Sequence, residues 1–461
     1  MYLLDPILLT SLSLIFGLVH SQDPIPNPEK CLQPLIPSNQ QICPSLLPKR
    51  LPTPQNNQKP LQDDFNHPYD HSNLDDEFAL DDEYHLPPPW HGPTSCISSY
   101  CLYSNPSLSI SLFTTPKNAY LTSQFPLPSP KNRKVISPSS FYEAQIPGKG
   151  IGLIANRTIH KGEIIMQRIP TLLIQAIPHS TYSDRTKETL YKKALELLPE
   201  DTQQKFMRQY GNNITAKVDK NSFRMLTDHD PKAEGESEHF AVFPDVSRIN
   251  HDCRPNLHYR LQNHTHTTVA VRDISPGEEL TLSYIYGQSL YSTRQAHLQQ
   301  IWGFPCTCSQ CSLPSLLSQA SDARIREIRN LEKEIEEKMA RNNGIEIKPE
   351  MAGRLVKLYL DERLEAYMAP TYTRAALIYS MFGDEAKAME YAKEAVEALE
   401  REHGEDNGDA ESMKEMLRNL KGHWSWRIKV RPPLGSSGEA KEKKKGTVRR
   451  APVANRTKSG I

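Results

Sequence analysis

Two stretches of this chain carry residues able to do polar chemistry at a common point. One is Arg248-Ile249-Asn250-His251-Asp252-Cys253-Arg254-Pro255-Asn256; the other is Gly277-Glu278-Glu279-Leu280-Thr281-Leu282-Ser283-Tyr284. Asn250 and His251 both offer donors and acceptors, which suits them to hold a polar ligand, although a buried structural pair would use the same atoms. The Tyr284 hydroxyl can orient a reacting group or can be a satisfied core hydroxyl. Cys306, Cys308 and Cys311 follow in C-x-C-x-x-C spacing, too crowded for three unrelated buried thiols, and Cys253 joins them in a second group of four. Zinc prefers four thiolates in a closed tetrahedron with Zn–S of ~2.3 Å, and disulfides are the alternative. The first group, Cys31, Cys43, Cys96 and Cys101, would pair in an oxidising compartment, with a connectivity that sequence does not give.

The two motifs, in this order and at this spacing, resemble the signature pair of the SET domain, the fold of protein lysine methyltransferases that use S-adenosylmethionine. The usual first motif is Asn-His-Ser-Cys-x-Pro-Asn, so Asp252 replaces a serine; the usual second motif ends a Gly-Glu-Glu-Leu run with the catalytic tyrosine, the place of Tyr284. The resemblance covers residues 139–311 and, more loosely, extends through 426. It is nearest the SET-and-MYND branch without the MYND zinc module, since no cysteine lies between Cys101 and Cys253. It implies that Tyr284 aligns methyl group and amine where cofactor and lysine meet. It further implies that Lys149, Gly150, Ile151, Asn221, Asn250, His251 and Phe304 hold S-adenosylmethionine, and that Tyr286 lines the lysine channel. Cys253 then becomes the fourth ligand of a structural zinc with Cys306, Cys308 and Cys311, tying the segment that carries Phe304 over the site. Methyl transfer from a sulfonium to an amine requires alignment, a deprotonated amine and exclusion of water, with no metal at the reacting centre.

The elements that position these residues are legible in outline. Gly148 to Ala155 reads as a glycine turn entering an apolar strand, without the strand–loop–helix setting of a dinucleotide fingerprint. Ile159 to Ile165 reads as strand, turn, strand, and Ser183 to Tyr210 as helical. Leu257–Leu261 and Thr267–Val271 alternate as strands around the polar loop 263–266. Ile325, Ile328, Leu331, Ile335 and Met339 form a helical stripe, and 375–382 and 386–399 form two helices around Gly383-Asp384. Tyr379, Gly383, Ala388, Tyr391 and Ala395 resemble one tetratricopeptide unit of ~34 residues.

The expected fold class is therefore mixed α/β: a β-rich SET fold of small sheets around a knot-like crossing, then an α-helical, tetratricopeptide-like C-terminal domain, with a disordered N-terminal arm and C-terminal tail. The expected boundaries are 1–21 for a possible signal peptide, 22–138 for a proline-rich low-order segment, 139–287 for the SET domain, 288–315 for a post-SET zinc segment, 316–428 for the helical domain and 429–461 for a basic tail. The low-order reading rests on 21 of the chain's 37 prolines falling between Pro24 and Pro138, where they remove donors and fix φ, with Cys96, Cys101 and Leu108–Phe113 as candidates for a small local element within it.

With 55 basic and 55 acidic residues, net charge gives no argument for nucleic-acid binding, and none is predicted. The acidic clusters 75–77 and 81–83 and the basic run Lys441–Arg450 read as solvated segments. The apolar run Ile7–Val19 ending near Ser21 suggests secretion and is too short to span a membrane, which takes ~20 residues. Thiolate zinc chemistry suggests the nucleus or cytoplasm instead. Four glycosylation sequons, at Asn156, Asn213, Asn263 and Asn455, matter only in the secretory pathway. The expected partner is a protein substrate presenting a lysine, histone or non-histone, met by a monomer with no transmembrane span. The rival functions are a catalytically silent SET-fold binding module and a secreted interaction protein acting through its proline-rich arm.

Overall fold

The computed structural model describes residues 84–125, 140–227, 237–340, 347–405 and 407–430. The signal segment, Cys31, Cys43, the acidic clusters and the basic run lie outside the described residues. The first finding corrects an expectation: within the proline-rich stretch, residues 84–125 are built into the fold. Strands β1 (Cys96–Ile97), β2 (Tyr100–Asn105) and β3 (Ile110–Thr114) form a meander, closed by a Cys96–Cys101 disulfide, and helix α1 (Pro116–Gln124) follows. The prolines sit outside the strands, with Pro106 in the β2–β3 turn and Pro116 opening α1, while Leu102, Tyr103, Ile110, Leu112 and Phe113 are buried. Burial of those side chains outweighs the local proline content, because the hydrophobic gain scales with the area removed from water.

Four strands come next: β4 (Phe141–Ile146), β5 (Gly150–Ala155), β6 (Ile164–Arg168) and β7 (Leu172–Gln175). Ile159, expected in a strand, makes a single bridge to Ile274. Four helices follow, α2 (Ala176–Thr181), α3 (Asp184–Glu196), α4 (Glu200–Met207) and α5 (Ile214–Asn221); α3 and α4 fall in the stretch read as helical, and α2 and α5 extend it on either side. Ser183 and Asn213 start α3 and α5 by accepting from the amides of Thr186 and Ala216. The chain returns through β8 (Ser222–Leu226), β9 (Glu238–Val242), β10 (Asn250–His251), β11 (Leu257–Gln262), β12 (Thr265–Ala270) and β13 (Glu279–Leu282). The β11–β12 turn is tighter than the four-residue loop expected, because Asn263 and His264 both take positive φ, 48° and 58°, as a two-residue hairpin requires.

The strands form three sheets: β1-β2-β3-β7-β9-β8, β10-β13-β5-β4 and β11-β12-β6. Pairing is antiparallel except for β3 with β7 and β10 with β13. The β3–β7 pairing makes residues 110–114 an integral strand of the six-stranded sheet. The parallel β10–β13 pairing matters most for the site, since it sets Asn250 opposite Thr281 and His251 opposite Leu282.

Helix α6 (Tyr291–Trp302) leads into the cysteine segment, and the helical part follows: α7 (Ser315–Ala340), α8 (Pro349–Asp361), α9 (Ala369–Phe382), α10 (Glu385–His403) and α11 (Gly408–Arg418). Gly383, at φ 78°, closes α9, and Asp384 caps α10, so the two helices pack as a hairpin with Tyr379 stacked on Tyr391 at 5.6 Å. The apolar stripe behaves as read: Ile325, Ile328 and Ile335 are buried in the core shared by α7 to α11. Among the described residues no helix is long and apolar enough to cross a membrane.

Candidate active site

Strand β5 starts from Gly150, at φ 77°, and Gly152 lies against β10, where an added Cβ would stand 2.7 Å from the Asn250 Nδ2. The absence of side chains at Gly148 and Gly150 leaves open space, beside an Ile151 that is 36% exposed. Into this edge project two of the predicted ligands. Lys149 Nζ pairs with Glu279 at 2.7 Å, and Asn250 Nδ2 donates to the other oxygen of the same carboxylate at 2.9 Å. Glu279 therefore holds both predicted cofactor contacts in place, a role that the sequence reading did not assign to it.

His251 is buried behind Asn250. Its Nδ1 accepts from the Tyr284 amide at 3.0 Å, which fixes the ring, and its Nε2 lies 3.3 Å from Cys253 Sγ. Burial lowers its pKa to about 3, so the ring is neutral. Tyr284 lies two residues past β13 and reaches back to the residue before β10, its hydroxyl donating to the Ile249 carbonyl at 2.8 Å. Burial pushes its phenol well above the ordinary range, so it acts as a hydroxyl and not as a phenolate. The rings of His251, Trp302 and Phe304 gather around it: His251–Tyr284 centroids are 5.3 Å apart, Tyr284–Trp302 5.2 Å and His251–Phe304 6.4 Å.

Trp302 also brings in the last predicted ligand. Its indole donates to the Lys220 carbonyl at 3.0 Å, docking the end of α5 onto the site. Asn221 there donates to the carbonyls of Tyr210 and Lys217, which leaves its amide oxygen as the atom able to meet a ligand. Tyr286 lies further along, near Glu332 and Arg329 of α7, Tyr367 in the turn before α9, and Arg374 of α9, and burial raises its phenol strongly. The structure thus gathers Lys149, Asn250, His251, Tyr284 and Phe304 around one edge, with Asn221 at its border and Tyr286 toward the helical part.

Cys253, Cys306, Cys308 and Cys311 are all buried, with their sulfurs within 4.8 Å of one another. Cys253 Sγ is 4.0 Å from Cys306 Sγ and 3.5 Å from Cys311 Sγ. A zinc tetrahedron with Zn–S of ~2.3 Å requires sulfur separations of about 3.8 Å, so the cluster fits the ion. Hydrogen bonds with Cys253 first and then Cys306 hold Cys308 at a pKa of about 5 against an opposing effect of Cys311, and bonds with Cys253, Cys306 and Cys308 push Cys311 lower still, with the Arg294 guanidinium adding to the effect. Arg294 is 1% exposed and donates to Ser289 O at 2.7 Å; its charge beside the thiolates was not signalled by any motif. Cys306 is anchored to α6 through both amide atoms of Gln295, at 2.9 and 2.8 Å.

Residues 150–285 match the SET domain family model. The chain is 36% identical over 107 residues to the N-lysine methyltransferase SMYD2-B of Danio rerio, which is 22% of this chain and 24% of that protein. It is 32% identical over 130 residues to the histone-lysine N-methyltransferase SMYD1 of Homo sapiens, covering 25% and 26% of the two chains. To the histone-lysine N-methyltransferase set5 of Schizosaccharomyces pombe it is 29% identical over 192 residues, covering 40% of this chain and 54% of that one. The chain therefore spans about a quarter to a half of the length of these relatives.

Proposed function

We propose that this chain, whose residues 150–285 match the SET domain family model and which is similar to protein lysine methyltransferases, transfers a methyl group from S-adenosylmethionine to a lysine side chain of a protein substrate. The observation that carries the reading is the convergence of β10 and β13, which sets the Tyr284 hydroxyl, the neutral His251 ring and the Asn250–Glu279–Lys149 chain on one edge. That edge suits the cofactor: polar groups for its amino-acid end, an open glycine turn for close approach, and the Phe304 ring for its base. When bound, S-adenosylmethionine supplies an electrophilic methyl group on a sulfonium. Lys149, Gly150, Ile151, Asn221, Asn250, His251 and Phe304 would hold it.

Tyr284 orients the acceptor. Its protonated hydroxyl, fixed by Ile249 O, holds an incoming amine in line and keeps water out of the space between His251 and Trp302. Tyr286 lines the approach for the lysine stem, and the helical part, with α9 and α10 as a tetratricopeptide-like packing unit, walls that approach. The zinc is structural: Cys253, Cys306, Cys308 and Cys311 would hold it and so keep Phe304 in place. The protein works as a monomer on a protein substrate. The test is calorimetric binding of S-adenosylmethionine to the full chain, followed by transfer of labelled methyl to a lysine-containing protein mixture. Binding without transfer would favour the silent module, and no binding would favour an interaction protein.

A further inference from the structure

Arg254, within the first motif, is buried together with Glu362 of the helical part; both side chains are 1% exposed and meet at 2.8 Å. A buried ion pair between two parts of a chain is weak grounds for stability, because desolvation offsets the attraction. What distinguishes this pair is where its remaining bonds go. Arg254 Nη1 donates to Cys253 O at 2.8 Å and to Gly287 O at 2.9 Å, and its Nε donates to the Glu362 carbonyl. One guanidinium thus joins a cysteine of the zinc-type cluster to the turn just past Tyr284.

Glu362 is held as firmly on its own side. Ser321 Oγ donates to Oε2 at 2.7 Å and Arg324 Nε to Oε1 at 2.6 Å, both from α7. Gln310, inside the cysteine segment, donates to Ser321 at 2.7 Å and accepts from Arg363 at 3.1 Å. Arg363 adopts φ 54°, a left-handed conformation that a residue with a side chain adopts at a cost and that persists where its surroundings over-determine it. The network therefore closes a loop: first motif, post-tyrosine turn, helical part, cysteine segment.

We infer that Glu362 is a positioning residue for the methyl-transfer site, acting through Arg254 to clamp the Cys253 and Gly287 carbonyls and hence the ring of His251 and the segment bearing Phe304. The inference rests on the proposed reading of that site. It makes the helical part a lock on the cofactor edge, beyond its role as a wall.

The decisive variant is Arg254→Met with Glu362→Leu in the full chain, since replacing both members of a buried pair by apolar groups of similar volume can leave stability intact while deleting every clamp bond. The measurement is the alkylation rate at Cys253, Cys306, Cys308 and Cys311, mapped by mass spectrometry, alongside Tm and amide exchange in α9 and α10. The expected result is labelling at these four positions at least about tenfold faster, with Tm and α9–α10 exchange unchanged, and a raised cofactor KM with kcat within about threefold. Labelling at the wild-type rate in the folded double variant overturns the inference. Should the double variant not fold, Glu362→Gln decides alone: faster labelling of the same four cysteines supports the clamp and unaltered labelling refutes it. A wild-type chain that binds no cofactor would sink the functional reading, while the labelling comparison would still decide the clamp.

Discussion

Replacing Tyr284 by phenylalanine deletes one hydroxyl and nearly no volume. The hydroxyl makes one direct bond, to Ile249 O at 2.8 Å, and the ring stays held between His251 and Trp302. Losing that bond should cost ~1 kcal/mol of stability, small against the ~5–15 kcal/mol typical of a folded protein. The cofactor contacts at Lys149, Asn250 and Glu279 involve no atom of the hydroxyl, so cofactor affinity should change by less than about twofold. If the hydroxyl aligns the amine at the barrier, turnover should fall ~100-fold, equivalent to ~2.7 kcal/mol. The assay pairs calorimetric cofactor binding with single-turnover methyl transfer to a lysine-containing protein mixture, for both proteins. Since burial holds the phenol protonated far above neutrality, the wild-type rate should show no downward break from phenol ionisation up to pH 10. Unchanged turnover in Tyr284→Phe would refute the assignment. So would a fall in turnover fully matched by lost cofactor binding.

Cys308→Ser should lower zinc content, read by elemental analysis, and weaken cofactor binding, because a lost structural site costs much of the folding energy of its segment; full cofactor affinity without metal would contradict this. Gly152→Ala should raise the cofactor Kd by at least about tenfold, as the new Cβ would press on Asn250 Nδ2 and Ile146 at 2.7 Å, and wild-type binding would mean that Asn250 is no ligand. The chain should also be acid-labile. His239 and His266 are buried and His258 and His403 half-buried, with pKa values lowered by desolvation to about 4, 3, 3 and 4 for His239, His258, His266 and His403, so all four are neutral. The unfolded chain therefore binds more protons as pH falls below ~6.5, and each histidine removes up to ~1.4 kcal/mol of stability per unit down to its folded value. The buried Glu402 carboxyl, raised by desolvation to about 8, has the opposite sign and offsets roughly one histidine over this range; urea midpoints should still fall from about pH 6 toward pH 4, and His239→Gln should lessen the slope by about one proton, while an equal slope would exonerate His239.

What the sequence determined by itself was local and motif-borne. Glycine at 148, 150 and 152 dictates a turn and a close approach whatever surrounds it, and the capping residues Ser183, Asn213 and Asp384 start helices through bonds to their own neighbours. The cysteine spacing and the two motifs likewise name their residues in advance. Tertiary structure decided everything that depends on distant partners. Residues 102–113 read as part of a proline-rich arm because a strand takes its stability from its neighbours, and β3 lies inside the six-stranded sheet between β2 and β7, the latter some sixty positions later, as the Thr114–Gln175 separation of 61 shows. Glu279 reads as one acid of a common run until β10 and β5 bring it Asn250 and Lys149. Arg254, Glu362 and Arg294 take no role from the sequence for the same reason: the sequence holds their identity, but their worth comes from desolvation and from partners up to 108 positions away, and only the folded chain supplies both.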